Sequence, residues 1–216
     1  MNRRLPVYLV IDCSHSMRGA PIAAVESGIA RMVMDLQRDP TALETVYLSI
    51  ITFATGAELV SPLTDILSFE SPKFTAGGRT QLGAALRMLS ERIDREVVKS
   101  SAEVKGDWKP VVFILSDGGP SDGWITPAKS ICARHDRGEW NVLAVGYGKS
   151  VQADKLRRIT PQVLLSSSQE PDALARFLTW ASMSVSRSCK VGVQAAPSRG
   201  IPPPNGFFFD CGPGAP

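Results

Sequence analysis

Two stretches of the chain run apolar without a break, and each stops at an aspartate. The first is Leu5-Pro-Val-Tyr-Leu-Val-Ile-Asp12 and the second Pro110-Val-Val-Phe-Ile-Leu-Ser-Asp117. A run that is apolar at every position has no solvent face, which is the signature of a strand buried on both sides of a parallel sheet. Between them the period changes. Ile22, Val25, Ile29, Met32, Val33 and Leu36 recur at helical spacing after Pro21, a residue suited to a first helical turn, and Asp39-Pro40 stops the run. Thr45 to Phe53 is rich in β-branched and aromatic residues and predicts a strand. Ala57 to Val60 predicts its short antiparallel partner at a sheet edge, closed by Ser61-Pro62.

Residues 61 to 79 carry little periodicity and predict a loop. It ends in Gly77-Gly78-Arg79-Thr80, and a helix follows with Leu82, Ala85, Leu86, Leu89, Ile93 and Val97 on one face. After the second apolar strand the pattern predicts a helix near Ala128 to His135 and a strand at Trp140 to Val145. A short helix near Asp154 to Arg158, an edge strand at Val163 to Leu165 and a helix over Pro171 to Met183 complete it. Alternation of strands and helices on this scale predicts an α/β fold, a doubly wound and mostly parallel sheet. One domain over residues 1–187 accounts for it. Residues 188–216 shift to Gly, Pro and Ser around Pro202-Pro203-Pro204 and predict a tail or arm with no core of its own. Phe207-Phe208-Phe209 either pack back on the domain or, with Asp210, serve as an acidic anchor for a metal site or a partner.

Composition narrows the function classes. Of 216 residues, 44% are hydrophobic and 21% charged, ordinary for a soluble domain with a substantial core. A net charge of +3 argues for neither nucleic acid nor an acidic membrane as partner. Arg3-Arg4 and Lys155 with Arg157-Arg158 are read as solvated surface. Leu5 to Ile11 is too short for a signal sequence and lacks a cleavage site, and no stretch approaches the ~20 apolar residues of a membrane span. Cys13, Cys132, Cys189 and Cys211 are scattered, with no pairing at zinc-ligand spacing. The expected location is the cytoplasm.

The candidate chemistry lies where the apolar runs end. Asp12, Ser14 and Ser16 sit at alternate positions, so a partly extended turn can aim all three at one point. A carboxylate with two hydroxyls is an all-oxygen set suited to a hard cation such as Mg²⁺. Ser14 or Ser16 could equally cap the next helix, and Thr80, at the start of its own helix, is either a cap or a ligand. Asp117 closes a second strand in the same manner. Two neighbouring parallel strands with carboxylates at their carboxyl ends make a site at the switch point of an open α/β sheet.

Asp12-x-Ser14-x-Ser16, Thr80 after the glycine pair, and Asp117 after the later strand together resemble the metal-ion-dependent adhesion site of von Willebrand factor A domains. More narrowly, the stretch from Arg3 to Asp12, Glu44-Thr45, Lys105-Gly-Asp-Trp-Lys-Pro110 and Ser116-Asp-Gly-Gly-Pro-Ser-Asp122 resemble the bacterial tellurite-resistance TerY type. The resemblance implies a six-stranded sheet with one antiparallel edge strand and helices on both faces. It implies that Ser14, Ser16 and Thr80 contact Mg²⁺ (Mn²⁺ or Ca²⁺ being alternatives), while Asp12 and Asp117 act mostly through waters. It also implies a protein partner that supplies an acidic residue to the metal, in a stress-response setting alongside a protein kinase or phosphatase. His15 stands where glycine is common in the family, and Ser116 where threonine is frequent.

The rival class is a haloacid-dehalogenase-like phosphatase with Asp12 as nucleophile. Such enzymes carry a second carboxylate two residues on, and here that residue is Ser14. The reading is therefore a non-catalytic binding module.

Overall fold

The computed structural model describes residues 3–191 and 201–210. Cys211 and the rest of the expected tail, residues 192–200 and 211–216, lie outside the described residues. The core strand is β1 (Leu5–Asp12), buried at every position, as its uninterrupted apolar run requires. Its side chains divide by alternation. Leu5, Val7, Leu9 and Ile11 enter one core with helices α1 (Ala20–Arg38) and α6 (Asp172–Val191), whereas Tyr8 and Val10 enter a second on the opposite face. That second core is closed by α3 (Leu82–Glu96) and α4 (Ile125–Asp136).

β1 pairs in parallel with β2 (Val46–Ala54) on one side and β4 (Val111–Ser116) on the other. Chain order reverses at that point, so the carboxyl ends of β1 and β4 open onto one crevice. β5 (Asn141–Gly146) and β6 (Val163–Ser166) continue the parallel array beyond β4. A short helix α2 (Pro40–Thr45) precedes β2, and α5 (Ala153–Leu156) lies between β5 and β6.

The structure departs from the sequence expectations at the edges. β3 (Gly56–Asp65) is far longer than the expected Ala57 to Val60 and takes in Ser61-Pro62 and part of the expected loop. Register shifts between Leu48 and Ile51 of β2 accommodate this, and an edge strand tolerates a proline that donates nothing to the ladder. Asp39-Pro40 ends α1 but also starts α2, because the Asp39 carboxylate accepts from the amides of Thr41 (3.1 Å) and Ala42 (3.4 Å).

The sheet has seven strands among the described residues rather than six. β7 (Phe207–Phe209) pairs antiparallel with β6, so both edges are antiparallel and β6 is not an edge. The boundary expected after residue 187 falls inside α6. The arm packs back: Phe207 is 7% exposed, with its ring 6.1 Å from that of Phe177. The Trp180 indole donates to the Pro202 carbonyl at 2.7 Å. Asp210 pairs with Arg157 at 2.5 Å, and its amide bonds to Val163, at the amino end of β6. Asp210 is thus held by Arg157 at the far edge of the sheet, three strands beyond β4, so the acidic-anchor reading of the arm is set aside.

Arg4 likewise has a structural partner. Its guanidinium grips both oxygens of Asp107 (2.9 and 2.6 Å), and Arg3 donates to the carbonyls of Gly106 and Asp107. No helix among the described residues is long and apolar enough to cross a membrane.

Candidate metal centre

β1 delivers Asp12 to the crevice fully buried, and β4 delivers Asp117 at 7% exposure. Burying a carboxylate is costly unless it is hydrogen-bonded or charge-paired, and Asp12 has donors on both oxygens. Oδ1 accepts from the Ser14 amide (2.9 Å) and Oδ2 from the Ser116 hydroxyl (2.7 Å). Burial still dominates and pushes the Asp12 carboxyl up to about 6, against the hydrogen bonds from Ser14 and Ser116 that favour its charged form. Burial raises Asp117 too, opposed by a hydrogen bond from Ser16.

The two serines are not helix caps. Ser14 precedes a single 3₁₀ turn (His15–Met17) without a side-chain cap bond, and α1 begins after Gly19, again without one. Instead the Ser14 and Ser16 hydroxyls lie 3.1 Å apart, and Ser16 Oγ donates to Asp117 Oδ1 at 2.9 Å. The structure thus joins Asp12, Ser14, Ser16 and Asp117 in one hydrogen-bonded cluster from residues about a hundred positions apart.

Thr80 comes in on a third segment. The Gly77 amide donates to the Cys13 carbonyl (2.7 Å) and the His15 amide to the Gly78 carbonyl (3.3 Å), which laces this loop to the β1 turn. Gly78 has a φ of +79°, and an added Cβ there would lie 2.3 Å from Thr55 Oγ1, so only glycine fits. On the other side the Thr80 backbone is held by Ser121: its amide donates to Ser121 Oγ (3.2 Å) and its carbonyl accepts from the Ser121 amide (2.9 Å). Its hydroxyl has no hydrogen bond among the described residues. The cap of α3 comes from elsewhere, because the two oxygens of Asp122 accept from the amides of Gly83 and Ala84, each at 2.9 Å. With that duty filled by Asp122, the Thr80 hydroxyl is not needed as a cap.

Residues 7–179 match the sequence profile of the von Willebrand factor type A domain. The chain belongs to the von Willebrand factor type A family. Domains of this family mediate protein–protein interactions and commonly carry a metal-ion-dependent adhesion site.

The type A fold recurs in distant solved structures. A von Willebrand factor type A protein from Catenulispora acidiphila superposes with a TM-score of 0.66 at 17% identity, over 85% of this chain and 43% of that one. Proximal thread matrix protein 1 from the mussel byssus, with zinc in its adhesion site, gives 0.59 at 17%, over 85% and 48%. The ArnB paralog VWA2 from Sulfolobus acidocaldarius gives 0.58 at 18%, over 83% and 45%. This chain spans less than half the length of each, and identities this low show the fold alone. No curated protein matches the chain in sequence.

The donor set of this type A domain fits a hard divalent cation. Two buried carboxylates with raised proton affinity mark a place where positive charge is favourable, and the hydroxyls beside them are neutral oxygen donors. No cluster of three or more His, Cys, Asp or Glu occurs among the described residues. Sequence reasoning missed two contributors to the site. Both lie in the 116–122 stretch that carries the resemblance, but neither has a role there; only the fold sets Ser116 against Asp12 and Ser121 against Thr80.

Proposed function

We propose that this type A domain is a metal-dependent protein-binding module in which Asp12, Ser14, Ser16, Thr80 and Asp117 hold one divalent cation. The observation that carries the reading is the chain of contacts from Asp12 through Ser14 and Ser16 to Asp117 at the switch point of the sheet. Mg²⁺ suits an oxygen set with few carboxylates and room for water, with Mn²⁺ or Ca²⁺ as alternatives. When bound, the cation supplies an electrophilic centre to which a partner's acidic side chain is drawn. The five residues hold and orient the cation, and Ser14 occupies the place of a phosphatase's second acid.

The finer reading is an intracellular adaptor of the tellurite-resistance TerY type, supported by the resemblance of Arg3 to Asp12 and of residues 105–122. Its setting is then a cytoplasmic stress response, and its partner a protein kinase or phosphatase of the same system rather than nucleic acid or membrane.

Calorimetry with Mg²⁺ or Mn²⁺ tests the core of this. One site is expected, lost in Asp12→Ala and Asp117→Ala. Both variants binding metal like the parent would show the site to be elsewhere. The same preparation should hydrolyse no phosphate ester; turnover abolished by Asp12→Asn would instead support the phosphatase class.

A further inference from the structure

Two clefts lie side by side between α4 and α5, of about 270 and about 640 Å³, and they share Ile125 and Arg158. The larger reaches the loop that follows Asp117. Gln152 in its wall packs its amide against Gly119, two residues after Asp117, where an added Cβ would lie 2.8 Å from Gln152 Nε2.

The charge of this groove is net positive. Lys129, Lys155 and Arg158 line it and form no ion pair among the described residues. Of its acids, Asp154 pairs with Arg157, whereas Asp136 accepts only from the neutral Cys132 thiol at 3.6 Å and keeps its charge at the edge of the smaller cleft. Arg157 is also bound by Asp210, so the free cations of the groove among the described residues are Lys129, Lys155 and Arg158. At the junction of the two clefts Ile125 is 48% exposed, beside the buried Trp124, so an apolar spot sits among the cations.

We infer that this groove receives the segment of the partner that flanks its metal-directed acid, and that the segment is an acidic peptide with one apolar side chain seated on Ile125. The inference rests on the metal-dependent binding reading and extends it. Opposite charge supplies complementarity along the groove, and the apolar contact supplies register. A nucleic acid strand would satisfy the cations but offers Ile125 at most a thymine methyl group rather than a branched aliphatic side chain.

The probe is a short fluorescent peptide of glutamates around one leucine, titrated with the full chain by anisotropy in magnesium and in chelator. Lys129→Glu with Arg158→Glu is expected to weaken binding roughly tenfold or more, since each reversal replaces an attraction by a repulsion. Ile125→Ser is expected to weaken it several-fold. Calorimetric Mg²⁺ binding by these variants should stay at the parent's level, which also shows them folded. Magnesium-dependent binding that the charge reversals leave unchanged overturns the groove and leaves the metal reading standing. Binding lost on charge reversal but equal in chelator supports the groove and removes the metal reading. No peptide binding by the parent, or equal displacement by an oligothymidine of similar length, overturns the inference.

Discussion

Ser116→Ala removes one hydroxyl from a buried position and leaves every proposed ligand in place. Ser116 Oγ donates to Asp12 Oδ2 at 2.7 Å, and the residue is 1% exposed, so no bulk water stands ready to replace it. A hydrogen bond to a charged group contributes about 1.5–3 kcal/mol. If that bond orients Asp12 for the cation, its loss converts to roughly 10- to 150-fold in metal affinity. The range agrees with the roughly 10- to 100-fold typical of groups that orient metal ligands. Calorimetric titration with Mn²⁺ at neutral pH measures it. Ser116→Thr keeps the hydroxyl and is expected to bind within a few-fold of the parent, which separates a lost hydrogen bond from general disturbance of β4. Affinity for Ser116→Ala within twofold of the parent, with Asp12→Ala inactive, would refute the positioning role.

Two further outcomes probe the fold around the site. Phe207→Ala should destabilise the domain by about 3–5 kcal/mol in urea unfolding, and Phe208→Ala, at 49% exposure, by under about 1 kcal/mol; equal small losses would mean that β7 is not part of the cooperative unit. His135 is held below its usual range by burial, and its Nδ1 accepts the Val142 amide at 3.2 Å, which only the neutral ring can do. Its contribution is therefore present above about pH 6.5 and lost as pH falls through the lowered folded value. Stability measured from pH 8 to 5 should fall more steeply for the parent than for His135→Gln, and parallel curves would count against the assignment.

The sequence alone was enough for the layers and for the meeting of Asp12, Ser14, Ser16 and Asp117. A strand buried on both faces keeps a polar side chain only where a hydrogen bond awaits it, so β1 and β4 announce themselves as nearly unbroken apolar runs, and the aspartates that end them are conspicuous for the same reason. The spacing of Asp12, Ser14 and Ser16 is local, and local spacing survives folding. The edges of the sheet were less legible. Whether Pro62 interrupts β3 depends on bulged pairing with β2, and whether Phe207 to Phe209 join the sheet depends on β6 having an edge to offer and on Phe177 and Trp180 lying beneath it. Those are properties of partners far away in the chain. Tertiary structure likewise decided what the individual hydroxyls do. Ser116 faces Asp12 across 104 residues, Ser121 holds the Thr80 backbone, and Asp122 caps α3 so that Thr80 need not. A serine or an aspartate in a turn has many possible partners at similar energy. Only the packed arrangement of strands and loops selects one.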